Sequence, residues 1–130
     1  MKKIILGLTL LFSVAVGAQA LTPNTSYTAY IETTNSNNIT FNFRVSNTGN
    51  VYQAGTDGKL RDFNKEVTIN NSATTTYTWL NAGGVWSESQ TFIFTKDKTS
   101  GELTLNYLRV VQNEGSEPWI VYGVGEVDVK

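Results

Sequence analysis

The stretch Val85–Val111, VWSESQTFIFTKDKTSGELTLNYLRVV, predicts one long β-hairpin around which the rest of the chain is organised. In both halves apolar residues recur at every second position, a period typical of strands with one buried face. The segment Lys96–Gly101 between the halves has turn chemistry, because Gly101 can adopt the positive φ that a hairpin bulge requires. The hairpin therefore predicts an antiparallel, all-β protein.

One face of this hairpin combines an apolar set with a polar end. Its members are Trp86, Glu88, Gln90, Phe92 and Phe94 on the first strand and Leu103, Leu105, Tyr107, Arg109 and Val111 on the second. Two registers keep these faces together. One pairs Glu88 directly with Arg109, and the other, two residues away, pairs Gln90 with Arg109 and leaves Glu88 diagonal to it. In both registers an acid and a base meet at the end of an apolar face.

The rest of the mature chain predicts about six more strands, separated by polar turns, and no stretch has a helical period. The predicted strands span 26–32, 39–45, 50–54, 66–69, 74–80 and 119–129, with irregular segments at 21–26 and 55–65. Repeated nearest-neighbour hairpins favour an antiparallel meander of about eight strands that forms a small closed or partly open β-barrel. Gly123 and Gly125 allow the long last strand to coil sharply, which favours the barrel. A two-sheet β-sandwich is the alternative.

The first 20 residues predict a signal peptide that is removed on export. Lys2 and Lys3 precede an apolar run, and Ala18–Ala20 has the small-x-small pattern of a cleavage site. The mature chain, residues 21–130, is then a single β domain located in the periplasm or outside the cell. Without the two lysines, 8 basic residues remain against 11 acidic ones, a net charge of −3. No second apolar stretch is long enough to span a membrane as a helix.

The composition argues against several classes of function. The sequence contains no Cys and no His, which excludes disulfides, histidine-based catalytic triads and the usual zinc sites. The absence of Cys also fits bacterial export, where disulfides are optional. The negative net charge argues against nucleic acid. The chain has no Gly-rich phosphate loop and no EF-hand spacing, so we expect no enzyme, no cofactor and no metal site.

The predicted ligand-binding residues are Trp86, Glu88, Gln90, Tyr107 and Arg109. In the functional interpretation they line the mouth of a barrel cavity and fix the polar end of a ligand. The planar guanidinium of Arg109 suits a carboxylate or phosphate, and Glu88 orients it. In the structural interpretation, Glu88 and Arg109 are a cross-strand ion pair that ties the hairpin in register.

Other aromatic residues also receive predictions. Trp119 and Phe92 are expected in the core, Tyr122 is expected at the surface beside Glu126 and Asp128, and Trp86 is left open between the two.

Two functional hypotheses follow. The strand layout resembles lipocalin-type and avidin-type barrels in architecture alone, and the Gly-x-Trp of many lipocalins is missing from the first strand, Ser26–Tyr30. Architecture does not determine function. The leading hypothesis is a non-enzymatic carrier that binds a small amphipathic or apolar ligand in its interior. The alternative is a protein- or glycan-binding envelope module, such as an inhibitor or assembly accessory, that uses its outer surface, loops or edge strand.

Overall fold

The computed structural model describes residues 19–54 and 63–130. Most of the predicted signal peptide and of the irregular stretch 55–65 therefore lies outside the described residues. The described part is all-β, with eight strands and no helix, and so has no helix that could cross a membrane. The strands are β1 (Thr25–Thr33), β2 (Ile39–Val45), β3 (Val51–Gln53), β4 (Lys65–Asn70), β5 (Thr74–Ala82), β6 (Trp86–Lys96), β7 (Leu103–Asn113) and β8 (Trp119–Val129).

All eight strands form one antiparallel sheet in the order β3-β2-β1-β8-β7-β6-β5-β4. Because β1 pairs with β8, the meander curls into a nearly closed barrel whose seam lies between β3 and β4. Side chains bridge this seam. The amide of Val51 donates to Thr68 Oγ1 at 2.9 Å, and Asn70 Nδ2 donates to the carbonyl of Gly49 at 3.0 Å. The predicted barrel is confirmed, and a two-sheet sandwich is not formed.

The central hairpin adopts the second of the two predicted registers. Gln90 lies opposite Arg109, and Phe92 lies opposite Tyr107. At the turn, Asp97 Oδ1 accepts hydrogen bonds from the amides of Thr99 and Ser100, both at 2.8 Å. Gly101 has a φ of +76°, as the turn chemistry predicted. These turn contacts stabilise the observed register.

Stacked aromatic rings fill the barrel interior. The rings of Phe41 and Phe92 lie 4.1 Å apart between centroids, and Phe43 stacks on Phe41 at 5.1 Å. Phe92, which the sequence placed in the core, is buried there together with Phe41, Phe43, Phe94 and Leu105, and Leu103 packs against them half-buried. Side chains in contact in this way leave few voids in a protein interior.

The two glycines of β8 allow β1 to approach closely. A Cβ atom on Gly123 would overlap the carbonyl oxygen of Glu32, and one on Gly125 would overlap the carbonyl oxygen of Tyr30. Only glycine fits at these two positions, since any side chain would force the strands apart.

The segment before β1 belongs to the core, although the sequence predicted an irregular lead-in. Leu21 is fully buried in the hydrophobic cluster. The amide of Thr22 donates to the hydroxyl of Tyr27 at 2.9 Å, and Asn24 turns the chain into β1 with a φ of +58°.

Candidate functional site

Four of the five predicted site residues lie on the inner face at one end of the barrel, which we call the Arg109 end. The register of β5 to β8 arranges the inner face in rows across the sheet. The row through Arg109 contains Trp79, Gln90, Arg109 and Val121. The next row toward the end of the barrel contains Glu88, Val111 and Trp119, and the next row toward the core contains Tyr77, Phe92, Tyr107 and Gly123. The polar residues therefore lie directly above the aromatic core.

Glu88, Gln90 and Arg109 form a hydrogen-bonded cluster. The Nε of Arg109 donates to Glu88 Oε2 at 2.5 Å, and Gln90 Nε2 donates to the same oxygen at 3.1 Å. The side chain of Arg109 is 30% exposed and that of Glu88 is 18% exposed. The ion pair is thus half-buried. It is neither the exposed cross-strand pair of the structural interpretation nor a fully desolvated pair inside a cavity. Its single contact to Nε leaves both Nη groups of Arg109 without an acceptor among the described residues.

Trp119 covers one face of Arg109 and was missed as a site residue. The guanidinium carbon lies 4.9 Å from the ring centroid, within the range of a cation–π contact. The prediction that Trp119 is a core residue was wrong, because its side chain is 47% exposed. The pairing of β8 with β1 extends only to Gly123, so β8 has β7 as its one neighbouring strand at Trp119. Beyond the ladder, Asn35 still reaches β8, where its Nδ2 donates to the carbonyl of Ile120 at 2.7 Å, so the ring is partly covered.

Two further groups at this end are buried donors without a partner in the described part of the chain. They are the hydroxyl of Tyr107 and Nε1 of Trp79. Burial raises the pKa of Tyr107 to about 12. The charge of Arg109 lowers this pKa and the charge of Glu88 raises it, but burial is the largest effect. The hydroxyl therefore keeps its proton at neutral pH. Phe63 stacks on Trp79 with centroids 4.3 Å apart and fixes the indole in place.

Trp86 does not join the other predicted site residues. Its side chain is exposed, and its indole lies over Gly83 in the turn between β5 and β6. The structure brings together four of the five predicted residues and adds Trp79 and Trp119. Trp79 lies opposite Gln90, and Trp119 opposite Val111, so both could have been found by extending the register of the central hairpin to its neighbours.

A second polar contact in the interior has a structural role. The hydroxyl of Tyr77 donates to Glu66 Oε1 at 2.9 Å, which connects two inner side chains of β4 and β5 beside the seam. Burial and this carboxylate raise the pKa of Tyr77 well above its usual range. Both groups are satisfied by each other, so this pair offers nothing to a ligand. The described residues contain no group of acids that could hold a metal ion.

The Arg109 end therefore combines a fixed cation, aromatic walls and unsatisfied donors. The O–H of Tyr107 and the N–H of Trp79 are buried without acceptors, which costs free energy, and the partly exposed Arg109 presents its Nη groups beside them. A ligand with oxygen acceptors would relieve that cost.

The comparisons with known proteins give no match. No family model, no curated protein and no solved structure is similar to this chain at a significant level. The class is therefore defined by the fold and the site alone. It is a small all-β barrel with a filled interior and a donor-rich polar cluster at one end.

Proposed function

We propose that this chain is an exported, non-enzymatic binding protein that takes the oxygen-bearing end of a small amphipathic molecule at the Arg109 end of its barrel. The observation that carries the proposal is the set of donors without acceptors on one inner face. Arg109 offers its Nη groups, and Tyr107 and Trp79 offer buried O–H and N–H groups. A carboxylate is the group that best matches the fork of a guanidinium.

Because the core is filled, we place the ligand at the end of the barrel and not deep in its interior. Phe41 and Phe92 occupy the space beneath the polar cluster, so a long apolar tail cannot pass down the barrel axis. The apolar part of the ligand is instead expected against the exposed ring of Trp119, since Phe63 covers Trp79. Binding of this kind resembles other ligand sites in pairing aromatic walls with a few polar groups.

Glu88 sets the selectivity of this site. It neutralises Arg109 in the empty protein and holds the guanidinium in place through Nε. The Nη groups then approach a carboxylate without a change of rotamer, which reduces the entropic cost of binding. The same carboxylate of Glu88 would repel an anion placed close to it, so the ligand approaches from the side of Tyr107 and Trp119.

The proposal of export rests on the basic start, apolar run and small-x-small pattern of the first 20 residues. The proposal of a non-catalytic role rests on the absence of His and Cys from the sequence.

The test uses two probes that differ only in the polar group, octanoate and octanol. We expect octanoate to bind more tightly by at least about tenfold, because a charge-assisted hydrogen bond contributes roughly 1.5–3 kcal/mol. Tryptophan fluorescence follows binding, since Trp79 and Trp119 flank the site. Amide chemical shifts should move around Gln90 and Val121.

The double variant Glu88→Leu/Arg109→Leu removes the ion pair without leaving a lone charge, and should abolish the difference between the two probes. The matched control is Arg44→Leu, which removes an exposed arginine from β2 and should leave both affinities unchanged. Equal affinities for octanoate and octanol in the parent protein, or shifts confined to another surface, would contradict the proposal.

A further inference from the structure

The outer face of the barrel carries a contiguous apolar set across β1, β7 and β8. Five exposed side chains form a contiguous set that we call the outer strip, consisting of Tyr30 on β1, Leu108 on β7, and Ile120, Tyr122 and Val124 on β8. Leu108 lies directly opposite Tyr122 in the register. The outward positions of β5 and β6 carry mainly Thr and Ser instead. An exposed apolar area of this kind, bordered by polar residues, is typical of an interaction surface.

The charges next to the apolar residues of the outer strip are acidic, while Lys130, directly after β8, and Arg44 on β2 lie together further along the barrel. The border of the strip contains Glu32 on β1 and Glu126 and Asp128 on β8, and the loop before β8 adds Glu114 and Glu117. No Lys or Arg points outward from β1, β7 or β8, since the only basic residue in these three strands is the inward-facing Arg109. The surface is therefore apolar at its centre and acidic at its edges.

A groove of about 600 Å³ lies at the Val124 end of the strip, beside Glu32 and Glu126. In the register Tyr30 lies opposite Glu126, and Glu32 lies opposite Val124. The two carboxylates therefore lie on one diagonal of this four-residue patch, and Tyr30 and Val124 lie on the other. Thr104 and Asn106 of β7 form the other wall. A lysine or arginine side chain fits this arrangement, because its aliphatic stem can lie on Val124 and Tyr30 while its charge lies between the acids.

We propose that the outer strip and its acidic groove dock a protein partner whose contact surface has an apolar centre and basic flanks. Charge complementarity selects this occupant. In a two-fold dimer the strip would face itself, which would bring Glu32 and Glu126 against acids of the second copy. An anionic membrane surface would be repelled by the same residues. A basic, apolar protein surface satisfies both features of this face, and its approach is accelerated by the opposite charge.

The test uses two synthetic amphipathic peptides of equal length, one of Leu and Lys and one of Leu and Glu. Amide chemical shifts of the full chain locate the binding surface. We expect the Leu–Lys peptide to shift the amides of the outer strip, with an affinity that falls as salt is raised. The Leu–Glu peptide should not bind.

Matched variants separate this surface from general attraction to an acidic protein. Glu32→Gln/Glu126→Gln should weaken binding of the Leu–Lys peptide by about three- to tenfold, and Val124→Ser should weaken it by a similar factor. The control removes an equally exposed apolar residue from the other side of the barrel, Ile69→Ser, and should have no effect. All these side chains point outward, so the fold is retained, which a thermal melt checks.

Four results would overturn the proposal. Two concern the peptide: chemical-shift changes on a different surface, and an equal loss of affinity in the control variant. The other two are a dimer in sedimentation that Val124→Ser dissociates, and binding of phosphatidylcholine vesicles through the strip. The Arg109 end lies on the inner face. If the peptides do not bind the outer strip, the proposed ligand site at the Arg109 end is therefore unaffected.

Discussion

Arg109 contacts Glu88 across a diagonal of the β6–β7 ladder, although the residue directly opposite Arg109 is Gln90. The same oxygen of Glu88 accepts hydrogen bonds from both neighbours. The carboxylate is thus fixed from two directions above the aromatic core. Because both charged side chains are half-buried, the energy of the pair lies between that of an exposed ion pair and that of a desolvated one.

This geometry predicts the outcome of a double-mutant cycle. Arg109→Leu should lower the free energy of unfolding by about 1–3 kcal/mol, because it leaves the carboxylate of Glu88 half-buried without its cation. Glu88→Leu/Arg109→Leu should recover most of that loss. Urea denaturation measures each variant, with Arg44→Leu as the exposed control that should change stability by less than about 0.5 kcal/mol. A coupling energy below about 0.5 kcal/mol would show that the pair contributes little to the fold.

The aromatic core predicts a sharp contrast between two adjacent residues of β6. Phe92 is buried against Phe41, whereas Ile93 points outward and is 38% exposed. Phe92→Ala should lower the free energy of unfolding by about 3–5 kcal/mol, while Ile93→Ala should cost less than about 1 kcal/mol. Thermal or urea denaturation distinguishes them. If Phe92→Ala melts within a degree or two of the parent, the assignment of the inner face is wrong.

The comparison of sequence and structure shows which features a local pattern can determine. The faces of the central hairpin were predictable, because a period of two fixes which side chains share a face. The register was narrowed to two, since a shift by two residues preserves every face. The observed register is the one that contains the turn contacts of Asp97 and Gly101. The composition of the turn alone did not identify that register.

Features that depend on distant strands were not predictable in the same way. Trp119 was expected in the core, but the ladder between β8 and β1 ends at Gly123 and the indole is partly exposed. Leu21 was expected in an irregular lead-in, yet it is buried among core residues supplied by other strands. In both cases burial is decided by tertiary neighbours that no local pattern contains.

The glycines of β8 provide a third prediction. Gly123→Ala should be strongly destabilising, because the new Cβ would overlap the carbonyl oxygen of Glu32 and one of the two strands would have to move. Gly84→Ala is the control, since nothing lies within 4 Å of the position of its Cβ. Melting temperatures measure both variants. A Gly123→Ala variant as stable as Gly84→Ala would show that β1 does not lie across β8 as described.

The last prediction concerns stability at alkaline pH. Burial raises the pKa of Tyr107 from 10.0 to about 12, and the pKa of Tyr77 is raised for the same main reason. Below about pH 10 both tyrosines are protonated in the folded and unfolded chains, and their contribution to stability is complete. As the pH rises toward 12 the unfolded chain loses these protons before the folded one, so the free energy of unfolding must fall.

Tyr107→Phe should make that fall shallower, because one of the two ionising groups is removed. Tyr122→Phe is the control, since its hydroxyl is on the exposed outer face and its loss should leave the slope as it is in the parent. Urea denaturation between about pH 9 and pH 11.5 measures the slope, which is proportional to the difference in bound protons between the two states. If Tyr107→Phe retains the slope of the parent, the hydroxyl of Tyr107 ionises as readily in the folded protein as in the unfolded chain. It would then not be the buried, protonated donor that the ligand site requires.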